Sequence, residues 1–424
     1  MNINQLSHHL DKLTVYRPLL DDEVMKTVLN TNCSFGQLYF TLASAAEREK
    51  VYLADGWQNH LLNLILQADN SFSRQAALYG GNISPSLRQA AAHDLECLQI
   101  IYRASNRVNI MSDNGPQWSS LCFISKDGNR RPTEKSLQTA TYLATAEDWR
   151  KTIDILIDYY QSVGVGIYGQ YHSLRWDGGQ RRLVGVQNPD PITFDQLVGY
   201  NWERQQVMDN ITAFLAGYPA HNVLLYGDRG TGKSSTVKAL VNAFGHTGLR
   251  LVEVAKQHFG HFPAIVAQLA CRPQHFILFI DDLSYEDHEV EYKELKALLE
   301  GGVETKPKNV LIYATSNRRH LIRERFSDRH NDDVHAGDTT QEKLSLSDRF
   351  GLTVSFIAPE QKLYLEIVEK LVADRGLNIA REELHHQALQ WALRHSGRSG
   401  RVAKQFVDYL EAQLGNQASV VSGQ

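Results

Sequence analysis

The stretch Gly227-Asp-Arg-Gly-Thr-Gly-Lys-Ser234 decides the fold, because it matches the pattern G-x-x-x-x-G-K-[ST]. The apolar run at residues 222–226 precedes it and predicts a strand, and residues 234–244 follow with their apolar side chains on one helical face. A glycine-rich loop between a strand and a helix brings main-chain N–H groups and a helix N-terminus to negative charge. The sequence therefore predicts a phosphate-binding loop.

The residues of this loop have distinct expected roles. Lys233 should reach the β- and γ-phosphates of a nucleotide, and the Ser234 hydroxyl should ligate Mg²⁺. The other residues should surround the phosphates with their main chain. They are Gly227, Asp228, Arg229, Gly230, Thr231, Gly232 and Ser235.

A second signal lies at the end of residues 276–280, a wholly apolar run that predicts a buried strand. Asp281 and Asp282 follow it directly, and in open α/β sheets the carboxyl ends of the strands face the ligand. Asp281 therefore fits the carboxylate that holds Mg²⁺ through water. Asp282 fits the base that polarises an attacking water. Taken alone, the pair is equally compatible with a solvated acidic turn.

Short apolar runs alternate with helical patterns from about residue 192, which predicts an α/β fold with a parallel sheet covered on both faces. After Pro359 the pattern is helical only, to about Leu414. The predicted strands are residues 222–226, 249–254, 276–280, 310–314 and 352–356.

Residues 192–414 resemble the AAA+ superfamily of P-loop ATPases, with its motifs in the family's order and spacing. Residues 310–317 look like the sensor-1 strand, and the resemblance implies that Asn317 at its end orients the lytic water. Arg349, followed by Phe-Gly, resembles the arginine finger that acts on a neighbouring subunit's ATP. Alternatively, Arg349 has only a structural role, in a salt bridge to Asp348 or to the lid.

Two further motifs support the resemblance. Arg401 resembles the sensor-2 arginine of the lid, which contacts the γ-phosphate, although Arg398 is a rival for this role. Val198 and Gly199 lie in a segment that resembles the one cupping adenine. The nearest likeness is to an uncharacterised bacterial group of AAA+ ATP-binding proteins, a family of unknown function.

The resemblance implies an AAA+ P-loop αβα sandwich with a parallel five-stranded sheet and a C-terminal helical lid. It also implies ATP and Mg²⁺ as ligands, and self-association as a ring oligomer that acts on an unidentified protein target. The expected domains are a mainly helical N-terminal domain at 1–190, a nucleotide-binding domain at 191–357, a lid at 358–415 and a polar tail at 416–424.

Within the N-terminal domain two features are predicted in detail. Residues 145–162 have one apolar helical face, and Thr145 fits a helix cap. Residues 167–176 and 180–186 flank Asp177-Gly-Gly and predict a β-hairpin. Residues 188–191, Asn-Pro-Asp-Pro, then read as a linker to the next domain.

Composition and charge narrow the function classes. The chain of 424 residues has 44 Lys and Arg against 48 Asp and Glu, so its formal charge of −4 gives little support to nucleic acid as a partner. Its apolar runs are too short to span a bilayer, which argues against a membrane partner. The 4 cysteines show no metal spacing or disulfide framework, and a reducing cytoplasm is expected.

Asp282 departs from the superfamily, which usually has Glu at this position. Its carboxylate reaches roughly 1.5 Å less far than that of Glu, and catalytic geometry is sensitive on that scale. Three interpretations stay open: Asp282 acts as the base, hydrolysis is slow, or Glu286 acts from the next turn. The slow case corresponds to a rival function, a binding switch that uses ATP with little turnover.

Two weaker features complete the sequence reading. The arginines between 318 and 329 predict a solvated surface, but they keep a DNA-remodelling or DNA-loading ATPase as a third function. Phe259-Gly260 lies where AAA+ translocases often carry a pore loop, although Phe259 and Phe262 equally fit the core face of the next helix.

Overall fold

A computed structural model describes residues 8–30, 34–104, 117–122, 132–283, 295, 299, 307–317, 349–395 and 397–421, with side chains described as far as Leu414. The chain divides into two compact units. The first comprises residues 1–171 together with Arg272–Gln274, and the second comprises His172–Cys271 and the chain from His275 onward.

Helices build the described part of the first unit. They enclose a core that contains three fully buried tryptophans, Trp57, Trp118 and Trp149. Two of the indoles satisfy their N–H groups on helix carbonyls, that of Trp57 on Ile101 at 3.0 Å. The helices are α1 (Glu23–Leu29), α2 (Phe35–Ala46), α3 (Gly56–Leu66), α4 (Ser71–Tyr79), α5 (Pro85–Arg103), α6 (Glu134–Thr145), α7 (Ile153–Val163) and α8 (Gly166–Gln170).

The helix predicted at 145–162 is two elements in the structure. Thr145 ends α6 instead of capping a new helix. Asp148 caps a short 3-10 turn at Trp149–Thr152 by accepting from the N–H of Arg150, and α7 begins only at Ile153. The apolar spacing that predicted one helix is still buried, because the 3-10 turn keeps Trp149 on the core side.

A seven-stranded sheet forms the centre of the second unit, in the order β2-β1-β4-β5-β6-β3-β7. All neighbouring strands are parallel except the pair β1 and β2. The strands are β1 (Ser173–Asp177), β2 (Arg182–Gly185), β3 (Val223–Gly227), β4 (Leu249–Glu253), β5 (His275–Ile280), β6 (Val310–Ser316) and β7 (Leu352–Phe356). The predicted α/β class is confirmed.

The expected count of five strands was too low, because the hairpin β1–β2 joins the sheet. Ser173, Leu174 and Arg175 pair in parallel with β4. The hairpin therefore belongs to the second unit, and the division of the chain follows Tyr171 instead of residue 190. The first part of the predicted hairpin, residues 167–170, lies in helix α8.

Helices α9 (Asn201–Leu215), α10 (Lys233–Phe244) and α11 (Phe262–Ala270) pack on this sheet. All residues of β6 are buried, as are the last five of β5. Strands that are buried on both faces carry apolar side chains throughout, so polar groups collect where the strands end. The carboxyl ends of β3, β5 and β6 lie side by side, since these strands are parallel neighbours.

Three helices follow the sheet and form the predicted lid, with a core of their own around Tyr364, Val368 and Phe406. The last of them extends beyond residue 416, where a polar tail was expected. The lid helices are α12 (Gln361–Asp374), α13 (Arg381–Arg394) and α14 (Gly400–Val421).

Two general expectations concern the surroundings of the protein. Among the described residues, no helix has the length and apolarity required to cross a membrane. Cys97, Cys122 and Cys271 form no disulfide with one another in the part of the chain that the structure describes. A cytoplasmic location stays a prediction.

Candidate nucleotide-binding site

The loop between β3 and α10 has a backbone that requires glycine. Gly227, Gly230 and Gly232 have φ of 132°, 74° and 93°, a region that other residues rarely adopt. A Cβ on Gly227 would lie 2.1 Å from the carbonyl oxygen of Phe356. The loop consequently approaches the end of β7 more closely than any side chain allows, and α10 begins directly after Gly232.

Lys233 is the first residue of α10 and is 6% exposed. Its Nζ donates to the carbonyl oxygens of Gly227, at 3.1 Å, and Asp228, at 2.7 Å. Burial lowers the pKa of Lys233 to about 8, against the opposing effect of the nearby carboxylates Asp228, Asp282 and Asp281. The cation therefore lies within the loop, where it would meet phosphate charge.

Asp281 joins the loop to the sheet. Its Oδ1 accepts from the hydroxyls of Ser234 and Thr315, each at 2.6 Å. Oxygen ligands of this kind suit Mg²⁺, which in phosphate sites takes one or two protein groups and completes its shell with water and phosphate oxygens. Ser234 and Asp281 therefore fit the metal predicted for them. Among the described residues no group of three His, Cys, Asp or Glu side chains is placed to hold a metal.

Asp282 has a backbone conformation that is uncommon for a residue other than glycine, with φ of 55°. Its N–H donates to Thr315 Oγ1 at 2.9 Å, and its Oδ1 accepts from Asn317 Nδ2 at 2.5 Å. Asp and Asn tolerate this region better than most residues. The local structure thus fixes the second carboxylate beside the side chain predicted to act with it.

A cavity of about 770 Å³ contains most of the predicted site residues. It lies within the second unit and extends from the sheet edge to the lid. The predicted residues that line it are Val198, Arg229, Gly230, Thr231, Gly232, Lys233, Ser234, Ser235, Asp281, Asp282, Asn317 and Arg401.

Four predicted residues do not line this cavity. Gly227 and Asp228 belong to the loop but are absent from the cavity lining. Asp228 Oδ2 accepts from the N–H of Ala358 at 2.6 Å, just before the lid. Gly199 uses its carbonyl to bind Arg204. Arg349 precedes β7, and only the opposite, carboxyl end of that strand meets the phosphate-binding loop.

The lid contacts the loop through the start of α14. The N–H of Arg401 donates to the carbonyl of Gly230 at 3.3 Å, and a Cβ on Gly230 would lie 2.9 Å from Ser399 Oγ. Of the two rival lid arginines, Arg401 lines the cavity and Arg398 is absent from its lining. The geometry therefore favours Arg401 as the lid cation of the site.

Sequence reasoning missed several residues that line the same cavity, among them Thr315, Arg204 and Lys404. Thr315 interrupts an apolar strand just before its polar end, a signal that was available in the sequence. Lys404 follows Arg401 by one helical turn on α14 and was also visible. Arg204 gave no signal, because its burial depends on how the preceding loop folds back.

Phe259, the candidate pore-loop aromatic, is a core residue in the structure. Phe259 is 2% exposed and Phe262 is 1% exposed. Their rings stack at 5.0 Å between centroids. The reading in which both aromatics start the core face of α11 is therefore the one that the structure supports. Glu286 and the arginines between 318 and 329 lie outside the described residues.

The order of the strands, the loop that joins β3 to α10 and the three-helix lid make the second unit a parallel α/β fold with a phosphate-binding type of loop and a helical lid. Residues 169–414 match the sequence profile of a family described as a protein of unknown function, DUF815. The chain belongs to this family, because the match covers more than half of its 424 residues. The predicted likeness to an uncharacterised family of unknown function is thereby confirmed.

Solved structures add a distant likeness. The RuvB Holliday junction branch migration motor of Thermotoga maritima has 15% identity and a TM-score of 0.33, over 52% of this chain and 72% of that chain. A mutant of the same RuvB gives 17% identity and a TM-score of 0.36, over 55% and 68%. TM-scores this low carry no inference about function. No curated protein matches the chain.

Proposed function

We propose that the protein binds ATP with Mg²⁺ and hydrolyses it to ADP and phosphate, and that the reaction remodels or regulates a macromolecular target. One observation carries this proposal, the hydrogen bond of 2.6 Å between Ser234 Oγ and Asp281 Oδ1. It brings the phosphate-binding loop and the acidic end of β5 to one point. A nucleotide phosphate held by the loop would then lie beside both carboxylates.

The chain's own groups have separate tasks in this proposal. Lys233 would exchange its carbonyl partners for the β- and γ-phosphate oxygens, and Ser234 and Asp281 would hold Mg²⁺. The metal, when bound, neutralises charge on the phosphates during transfer. Asp282 would accept a proton from the attacking water, and Asn317, which already holds that carboxylate, would help to orient it.

Self-association follows from the position of Arg349. Gly227 of the phosphate-binding loop pairs with Phe356, the last residue of β7, whereas Arg349 lies seven residues earlier, before the strand begins. At about 3.3 Å per residue, the strand alone places roughly 13 Å between its first residue and the loop. A guanidinium at that distance serves a neighbouring subunit's nucleotide better than its own, so we propose an oligomer, with a ring as its form.

Substitution of Lys233 tests the binding step. Lys233→Ala removes the cation from the loop, and ATP affinity should fall by roughly 10- to 100-fold, the value of a charged hydrogen-bond partner. Calorimetry on the folded variant measures it. Lys370→Ala is the control, because this exposed lid lysine pairs with Asp374 and does not line the cavity. Unchanged ATP affinity in folded Lys233→Ala would sink the assignment.

A nucleotide-dependent binding switch is the second candidate function, and the backbone of Asp282 is what favours it. A short carboxylate held by Asn317 in a left-handed conformation has limited freedom to follow a water molecule. Phosphate release by the wild-type protein separates the two functions. ATP binding with negligible release at saturating ATP would identify the switch.

A further inference from the structure

The guanidinium of Arg204 is buried at the nucleotide site, although the phosphate-binding chemistry does not use it. Arg204 belongs to α9, is 5% exposed and lines the cavity. Its Nη1 donates to the carbonyl of Leu197 at 2.7 Å and to that of Gly199. A Cβ on Gly232 would lie 3.7 Å from its Nη2, so the group lies between the loop at 197–199 and the phosphate-binding loop.

Burying this charge is costly unless the structure gains from it. Burial lowers the pKa of Arg204 to about 10, and Nε has no hydrogen-bond partner in the part of the chain that the structure describes. The ring of Tyr200 lies 5.8 Å from the guanidinium, and the Tyr200 hydroxyl donates to the carbonyl of Ile357 at 2.5 Å. The loop at 197–199 is thus hydrogen-bonded to this buried cation, and Tyr200 connects the cation to the start of the lid connection at Ile357.

The residue between the two fixed carbonyls is Val198. It lines the cavity, and no hydrogen bond joins its main-chain N–H or C=O to another described residue. A main-chain donor and acceptor held in a fixed position match the edge of adenine, which offers the N1 acceptor and the N6 amino donor. The corresponding edge of guanine offers O6 as acceptor and N1–H as donor, which is the reverse pattern.

We propose that Arg204 is a positioning residue that sets base specificity: by fixing the carbonyls of Leu197 and Gly199, it presents the main chain of Val198 to adenine and disfavours guanine. The inference rests on the proposed nucleotide-binding function. It adds a determinant of which nucleoside triphosphate the site accepts. The hydrogen bonds of Arg204 go to the loop carbonyls, so its effect should appear in base preference and not in phosphate binding.

Calorimetry with ATP, GTP and inorganic tripolyphosphate tests the proposal on the full chain. Arg204→Lys keeps the charge but removes the planar guanidinium whose Nη1 donates to both carbonyls. Its ATP affinity should fall about tenfold, the value of one or two hydrogen bonds to the base, while GTP and tripolyphosphate change by less than about threefold. Should Arg204→Lys not fold, Arg204→Gln, which retains two N–H donors, replaces it.

Arg250 provides a matched control. It is 3% exposed, lies in the same unit, and its Nη1 donates to the carbonyls of Gly245 at 2.7 Å and Leu249 at 2.9 Å, but it does not line the cavity. Arg250→Lys therefore reproduces the loss of a buried guanidinium and should leave the ATP-to-GTP ratio unchanged.

The outcomes are distinguishable. Wild-type protein that binds none of the three ligands overturns the proposed nucleotide-binding function itself. If wild-type protein binds ATP and the Arg204→Lys variant has the same ratio of ATP affinity to GTP affinity as wild type, only the role of Arg204 is overturned. An equal loss for ATP and tripolyphosphate also overturns it, because the effect would then lie on the phosphates.

Discussion

Lys233 shows how burial prepares a residue for its ligand. The ammonium group is enclosed by loop carbonyls, and burial lowers its pKa to about 8. Phosphate binding favours the charged form, so ATP binding must be coupled to proton uptake above that pH. Such coupling distinguishes a buried loop lysine from an exposed one, whose charge would persist over the same range.

The pH dependence of ATP affinity follows from this pKa. Between pH 7 and pH 9 the fraction of charged Lys233 in the ligand-free protein falls about tenfold, and ATP affinity should fall by about the same factor. Calorimetry in buffers of different ionisation enthalpy measures both the affinity and the proton uptake, which should approach one per ATP at pH 9. A flat affinity with no proton uptake would show that Lys233 is not linked to binding.

Asp282 combines a catalytic assignment with backbone strain. Asp282→Asn keeps the size and tolerates the left-handed conformation, so the fold and ATP binding should be retained. Phosphate release should fall by about 10²- to 10⁴-fold, the range for general-base catalysis. The decisive comparison is Glu286→Gln. If that variant loses turnover and Asp282→Asn retains it, the base lies at Glu286.

Asp282→Glu gives a second measure of the same site. The superfamily pattern predicts that Glu keeps or raises the rate. The φ of 55° opposes this gain, because Glu is less tolerant than Asp of the left-handed region. Thermal stability and phosphate release, measured on the same preparation, separate the effect of strain from the effect of carboxylate reach.

At the level of elements, the first unit contains a buried ionic cluster that joins three segments. His60 of α3 is 1% exposed and lies between Asp22 Oδ1, at 3.0 Å, and Glu49 Oε1, at 2.5 Å. Asp22 also caps α1 by accepting from the N–H groups of Val24 and Met25. The cluster therefore fixes the start of α1, the chain after α2 and the middle of α3.

This cluster predicts a pH-dependent stability. Burial alone would lower the pKa of His60, but hydrogen bonds and charge from Asp22 and Glu49 raise it to about 9. A folded pKa above the unfolded value gives stability that is fully present below about pH 6.5 and is lost as pH rises through 9, about 3 kcal/mol in all. Urea unfolding of the first unit at pH 6, 8 and 10 should show this loss.

His60→Gln is the matched variant for that measurement, since it removes the titration and retains an N–H donor. Its stability should be lower at pH 6 and should vary less between pH 6 and pH 10. At low pH, Asp22 becomes the relevant group. Its pKa is lowered in the folded protein, so its contribution to the free energy of unfolding is lost only as pH falls below the usual range of a carboxyl. Equal slopes for the variant and wild type above pH 6 would contradict the assignment to His60.

The elements also show what local sequence patterns can and cannot predict. Each strand from β3 to β7 was predicted to within about two residues at either end. In β3, β5 and β6, burial on both faces accounts for the nearly continuous apolar composition that made this possible. The hairpin was predicted as a hairpin, but its pairing with β4 was not. Pairing between segments more than seventy residues apart depends on the topology and has no local signature.

The residues of the candidate site likewise fall into those that the sequence predicted and those that depend on tertiary contacts. Lys233, Ser234, Asp281 and Asn317 end or begin predicted elements, and motif spacing located them. Arg204 takes its place from a loop that folds back on α9, through hydrogen bonds to main-chain carbonyls. Any residue provides such carbonyls, so a sequence pattern cannot reveal this contact.

At the level of the whole molecule, the role proposed for Arg349 would make the complete site depend on assembly. In a single chain, the phosphate-binding loop lies at the carboxyl end of β7 and Arg349 lies before its other end. An arginine finger in related phosphoryl transfer contributes about 10³- to 10⁵-fold to the rate. Arg349→Ala should consequently lower turnover by a factor of that order and leave ATP affinity of the isolated subunit unchanged. Wild-type activity per subunit should rise with protein concentration as subunits associate.

Mixing two inactive variants tests whether Arg349 acts across a subunit boundary. Arg349→Ala retains a normal phosphate-binding loop, and Lys233→Ala retains a normal finger. In mixed oligomers some interfaces combine the intact loop of one variant with the intact arginine of the other, and these sites should recover phosphate release that neither variant shows alone. Mass measurements establish that mixed oligomers form. If they form and activity is not restored, Arg349 does not act in trans; if wild-type activity per subunit also stays constant on dilution to the monomer, assembly has no catalytic role.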